Sequence, residues 1–159
     1  MKSQALWLPG DFPTTNKLLD LTRASGFYTG KQVAEGRRAR GNERDVNLTF
    51  RQIREATNFH ARGRLKPVDV AVPVLFVHFG SGRRDPSSWY LAAKAIEDGL
   101  VDAKILRSDR FYVTATAGRC VKADDPMWRG EVERLCDVDT GGREGMLVML
   151  GVPDGLGIF

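Results

Sequence analysis

The sequence predicts a single domain that mixes strands with helices, and three stretches carry that expectation. Residues 68–79 (VDVAVPVLFVHF) are apolar at both alternating sets of positions, the pattern of a central strand covered on two faces. Residues 85–103 put Trp89, Ala92, Ala93, Ile96, Leu100 and Ala103 on one helical stripe. Residues 144–150 (EGMLVML) form a second short apolar run, read as the last strand. At 159 residues the chain is one domain on length alone, 1–159, and large enough to bury a core.

The remaining elements follow in order. Residues 4–8 read as a first strand, stopped by Pro9-Gly10. Phe12-Pro13-Thr14-Thr15-Asn16 makes a turn, from which Thr14 or Thr15 caps a short helix through Leu18, Leu19 and Thr22. Glycine and arginine dominate residues 25–42, so a basic mobile loop is expected over about 25–46, ordered by nucleic acid. Residues 48–61 recover helical spacing through Ile53, Ala56 and the Phe59/His60 pair, with Gly63 ending the helix. Pro73 predicts a bulge in the central run or its division into two shorter strands. Asp85-Pro86 is a helix start, with a carboxylate at the N-cap and proline at the first helical position. Residues 111–117 alternate as a half-exposed strand. Residues 131–136 suit either a helix or an edge strand, and residues 151–159 read as a C-terminal tail. There are no internal repeats.

Composition narrows the function classes. No window approaches the roughly 18 apolar residues of a membrane span, which argues against a membrane protein. The opening MKSQALWLPGDFP has no long apolar stretch before its first Pro-Gly, so no secretory signal is expected. Cys120 and Cys136 have neither metal spacing nor a framework pattern, which predicts two reduced thiols in the cytoplasm. Net charge is +4 and unevenly spread. Lys31, Arg37, Arg38, Arg40, Arg44, Arg51, Arg54, Arg62, Arg64 and Lys66 face only Glu35, Glu43, Asp45 and Glu55 in the same stretch. Such clustering is the footprint of a protein that sits on a polyanion, and equally that of a solvated helix face with a loop.

The residues able to carry chemistry surround the predicted helix at 85–103. Before it stands a glycine-rich, doubly basic turn, Gly80-Ser81-Gly82-Arg83-Arg84, and after it a turn that ends in Asp109. Cutting a phosphodiester near neutral pH calls for a metal that activates water and neutralises the leaving oxygen. Magnesium takes one or two carboxylates and leaves its other positions to water and phosphate. Asp85 and Asp109 qualify if the connection at 104–108 doubles back; otherwise they sit at opposite ends of the helix. Asp85 equally suits a plain N-cap, Lys94 a surface lysine or a phosphate-facing cation, and His78 a general base or a satisfied core histidine. No Ser-His-Asp, Cys-His, zinc or P-loop signature is present, and Gly80-Ser81-Gly82 is too short to make a nucleotide loop.

Taken together, RRDPSSWYLAAKAIEDGLVDAKILRSD resembles the core of the RusA-like Holliday junction resolvases, endonucleases common in phages and prophages. The family pattern is a basic run, Asp-x-Asp-Asn, a helix with a lysine, an Asp-Gly-Leu segment and an acidic turn. Arg83-Arg84-Asp85 matches the basic run and first aspartate, Lys94 through Leu100 the lysine helix, and Asp109 the final aspartate. Leu8-Pro9 and Phe12-Pro13-Thr14-Thr15-Asn16 resemble the family's N-terminal motif. From about residue 122 onward the match is only compatible.

The resemblance implies an α+β fold, a mixed β-sheet flanked by helices, and a homodimer whose two-fold symmetry suits a four-way junction. It implies an Mg²⁺-dependent (or Mn²⁺-dependent) endodeoxyribonuclease acting on branched DNA in recombination and repair. Its catalytic residues would be Asp85, Lys94 and Asp109, with Asp85 and Asp109 as metal ligands. Arg83, Arg84, Arg37, Arg38 and Arg40 would hold the DNA backbone. The expected location is the cytoplasm, that of a bacterial host if the chain is phage-encoded. Two places depart from the pattern: Ser87 and Ser88 replace the second aspartate and the asparagine, and Arg107-Ser108 stands before Asp109 where acidic residues are usual. A serine hydroxyl is a poor metal ligand, and Glu97 or Asp98 compensates only if the helix turns them inward. The alternative is a protein that keeps the fold and grips branched DNA without cutting it.

Overall fold

A computed structural model describes residues 2–22, 49–70, 72–80, 86–108, 121–122 and 126–156. Four described strands form one sheet: β1 (Gln4–Pro9), β2 (Val74–Gly80), β3 (Val121–Lys122) and β4 (Gly145–Leu150), in the order β1-β4-β2-β3. β4 is antiparallel to both β1 and β2, while β3 runs parallel to β2. The sheet is therefore mixed and the class α+β, as expected. The last strand in sequence lies between the first two because its residues tolerate no water. All six of its residues are buried, Met146, Val148 and Leu150 toward one face and Leu147 and Met149 toward the other.

Helices cover both faces. On one lie α1 (Thr15–Thr22), α2 (Phe50–Arg64) and α3 (Tyr90–Asp102), closing a core of Leu6, Leu8, Val74, Phe76, Ile53, Ile96 and Leu100. On the other lies α4 (Pro126–Cys136), whose Val132 packs over Trp7, Leu75, Val77, Phe79, Leu147 and Met149. The alternation of strand side chains sorts these two sets, since neighbouring residues point to opposite faces.

Local chemistry explains most boundaries, and several differ from expectation. α2 starts in a capping box: Thr49 Oγ1 accepts from the Gln52 N–H at 3.2 Å, and Gln52 Oε1 accepts from the Thr49 N–H at 2.9 Å. It runs through Gly63 to Arg64 and stops where Leu65 turns extended, so Gly63 does not end it. β2 begins directly after Pro73, and residues 68–73 precede the strand; a proline with no N–H marks its start. Asp85 lies outside the described residues, and Pro86 opens a short turn that leads into the long helix. Residues 86–89 form one 3₁₀ turn, and the α-helix begins at Tyr90 with no side-chain cap on Trp89. Residues 131–136, open to two readings, are helical. The expected strand at 111–117, the basic loop at about 25–46 and the tail's last residues, 157–159, lie outside the described residues.

α2 and α3 are joined by a two-pronged ion pair. Arg54 Nε and Nη2 donate to the two carboxylate oxygens of Asp102 at 2.6 and 2.8 Å. The Arg54 hydrogen bonds hold the Asp102 carboxyl below the usual carboxylate range, against an opposing effect of burial. A carboxylate lowered in the folded state contributes stability above its unfolded pKa and loses it as pH falls through the folded value. Both side chains are partly exposed, so the contribution at neutral pH is about 1 kcal/mol or less. Asp102→Asn is expected to lower stability by that amount in urea unfolding at neutral pH. The gap should close in acid, as pH falls through the lowered folded value and the natural carboxylate is also protonated. A gap that persists in acid would show that the pair does not act through its charge.

Candidate functional site at the start of α3

β2 ends at Gly80, and the chain re-enters the described fold at Pro86, in the 3₁₀ turn leading into α3. Between them fall Arg83, Arg84 and Asp85, which lie outside the described residues, as do Asp109, Arg37, Arg38 and Arg40. Ser87 stands within the 3₁₀ turn; its side chain is outside the description. Of the expected catalytic residues, Lys94 is the one that the described residues include.

Lys94 sits one turn into α3, half-buried, with its Nζ 2.7 Å from Asp98 Oδ1. The alanines around it, Ala92, Ala93 and Ala95, are buried, and the helix packs most closely against α2. Asp98 was a candidate to replace the carboxylate missing at Ser87. Its carboxylate is engaged one turn along by Lys94 instead.

The start of α1 meets the start of α3. Thr15 Oγ1 donates to the Ser88 carbonyl at 3.2 Å and accepts from the Leu91 N–H at 3.4 Å. The Phe12-Pro13-Thr14-Thr15-Asn16 motif and the Ser87-Ser88 segment, separated by more than seventy residues of chain, thus form one locality. The hydroxyl of Thr15 takes one of the N–H groups that a helix start leaves without a partner within the helix.

The other end of α3 behaves differently. After Asp102 the chain folds back on the helix terminus, with Ile105 and Leu106 N–H groups donating to the Leu100 carbonyl. Ile105 also accepts from the Val68 N–H at 2.8 Å, beside the segment that enters β2. α3 has 13 residues, roughly 20 Å of helix. Residues 104–106 therefore stay at the far end from Ser87 and Ser88. The doubling back that would carry Asp109 toward Asp85 is not made by these residues, and both aspartates lie outside the description.

His78 is buried on the face of the sheet covered by α1, α2 and α3, its ring stacked on that of Trp89 with centroids 3.7 Å apart and 17° between planes. This is the surrounding of a packed core ring. Across the sheet stands a residue that sequence reasoning did not select. Arg129 of α4 is buried, with its guanidinium 4.7 Å from the Phe79 ring centroid. It donates to Thr140 Oγ1 at 2.9 and 2.7 Å and to the Arg143 carbonyl, and pairs with Glu133 at 3.5 Å. Nothing in the sequence separates it from the other 23 lysines and arginines.

Among the described residues, no group of three or more His, Cys, Asp or Glu side chains is arranged to hold a metal. Burial pushes the Cys136 thiol pKa up to about 11, which favours its protonated form. No helix among the described residues is long and apolar enough to cross a membrane. The chain matches no family model, no curated protein and no solved structure. Its functional reading rests on its own residues and on the resemblance they carry.

Proposed function

We propose that this chain is a metal-dependent, structure-specific endodeoxyribonuclease of the RusA-like kind, acting as a homodimer on four-way or related branched DNA. The observation that carries the reading is the joint spacing of Arg83-Arg84-Asp85, Lys94 and Asp109, which a basic domain of other function would seldom reproduce. Two features of the fold support it. The α+β class with a mixed sheet is the class that the resemblance implies. The N-terminal motif also meets the start of α3 through Thr15, within about a turn of Lys94. In this reading Asp85 and Asp109 hold Mg²⁺, an ion suited to one or two carboxylates, and that ion supplies the activated water. Lys94 offsets charge on the phosphate, and Arg83, Arg84, Arg37, Arg38 and Arg40 hold the backbone.

A second reading has its own observation. Ser87 stands where the family has an aspartate, and Asp98, one of the two carboxylates that could stand in for it, is committed to Lys94. A protein so depleted would grip a junction without cutting it.

One experiment separates the two. A labelled synthetic four-way junction is incubated with Mg²⁺ or Mn²⁺ and the natural protein, Ser87→Asp, or Asp109→Asn. The nuclease reading expects cleavage by the natural protein. Asp109→Asn should then lose at least about a hundredfold in rate, about 2.7 kcal/mol of barrier, with junction binding unchanged or slightly tighter. Cleavage by Ser87→Asp alone would select the binding protein. A junction that is not bound at all would end both.

A further inference from the structure

On the α4 side of the sheet a single described helix covers the centre and leaves β1 partly bare. The result is a half-open cavity of about 680 Å³ between β1, the end of α2 and the end of α4. Ala5, Trp7, Leu135 and Val138 give it apolar walls. Lys2, Arg64 and Lys66 line its mouth and are exposed, against one carboxylate, Asp137. Among the described residues none of these three cations is in an ion pair. The loop that carries Arg64 and Lys66 is pinned against β1. Gln4 Nε2 donates to the Lys66 carbonyl at 3.1 Å, and the Lys66 N–H donates to Gln4 Oε1 at 2.7 Å.

We infer that this cavity is a binding site for a small organic anion with a flat apolar body, distinct from the locality at the start of α3. Its volume lies in the range of about 300–1,000 Å³ usual for small-molecule sites. Apolar walls would take the body, and three unpaired cations around one carboxylate would take a sulfonate, carboxylate or phosphate head. A second copy of this chain is a poorer fit, because it would bring a net charge of +4 against a basic rim. The inference does not depend on the nuclease reading.

The test uses 8-anilinonaphthalene-1-sulfonate, a flat apolar anion, beside its uncharged relative N-phenyl-1-naphthylamine, each titrated into the full chain by fluorescence. One sulfonate probe per chain is expected, with the uncharged relative bound roughly tenfold or more weakly. Arg64→Gln/Lys66→Gln changes only exposed side chains and should weaken the sulfonate roughly tenfold, with an unchanged circular dichroism spectrum. Ala5→Trp should fill the cavity and abolish binding. If that variant does not fold, the double variant decides alone. Equal binding of the two probes, or sulfonate binding that the double variant leaves unmoved, would overturn the site. So would displacement of the probe by duplex DNA or by self-association through this face, either of which would give the groove to another occupant.

Discussion

Gly99→Leu is expected to separate α2 from α3 and to abolish cooperative unfolding in urea. Gly99 lies on the face of α3 that meets α2, and a β-carbon built there would stand 2.6 Å from the Arg54 carbonyl oxygen and 2.6 Å from Thr57 Cβ. Neither obstacle is the free end of a flexible chain. The carbonyl is helix backbone, and Thr57 is buried with its hydroxyl donating to the Ile53 carbonyl at 2.8 Å. Two effects of opposite sign therefore compete when Gly99 becomes alanine. Helix propensity gains about 1 kcal/mol, while forcing a methyl into a packed contact costs about 1–3 kcal/mol and more where the neighbours cannot yield. The clash wins, so Gly99→Ala should lose stability and Gly99→Leu most of it, against a total of about 5–15 kcal/mol for a domain. Gly63 is the internal control. It stands in α2 with nothing within 4 Å of its missing β-carbon, so Gly63→Ala should gain about 0.5–1 kcal/mol. If both alanine variants moved stability in the same direction, the close approach of α2 and α3 at Gly99 would not exist.

That approach shows where a sequence stops being informative. The stripe Trp89, Ala92, Ala93, Ile96 and Leu100 was legible because a 3.6-residue period survives in the order of residues, and these side chains are all buried. β4 was legible for a similar reason: a short apolar run buried on both faces leaves no polar interruptions. Gly99 reads in sequence as a weak point of a helix and acquires its meaning only from the neighbour 45 positions earlier. Pro86 misled in a related way. An aspartate-proline pair is a sound helix start by local rule, yet the α-helix waits for Tyr90 after one 3₁₀ turn. The candidate site divides along the same line. Residue types and spacing singled out Lys94 and the helix that carries it, whereas the Lys94–Asp98 pair and the tie of Thr15 to Ser88 depend on side-chain rotamers and on a chain crossing that no periodicity records.

Arg129 is the residue whose removal should matter most on the other face of the sheet. Arg129→Met keeps the length and the apolar stem, and is expected to cost about 3–5 kcal/mol in urea unfolding, because it strands the partners of a buried cation. The Thr140 hydroxyl loses a donor while it still donates to Glu133 Oε1, and Glu133 keeps a carboxylate that is only about one-quarter exposed. Arg129→Lys should recover little. One compact ammonium cannot reproduce the guanidinium's fork to Thr140 and the Arg143 carbonyl while keeping its place over the Phe79 ring. Glu133→Gln should cost about 1 kcal/mol by itself, since an amide still accepts from Thr140. Combined with Arg129→Met it should cost about 1–2 kcal/mol less than the two changes summed, the mark of residues that share one network. Additive costs, or a methionine variant within about 0.5 kcal/mol of the natural protein, would mean that the guanidinium packs there without holding anything together. The position gives the network reach beyond α4. Phe79 is the residue before Gly80, from which the chain enters 81–85, so a cation fixed on its ring holds the end of β2 that leads into Arg83, Arg84 and Asp85.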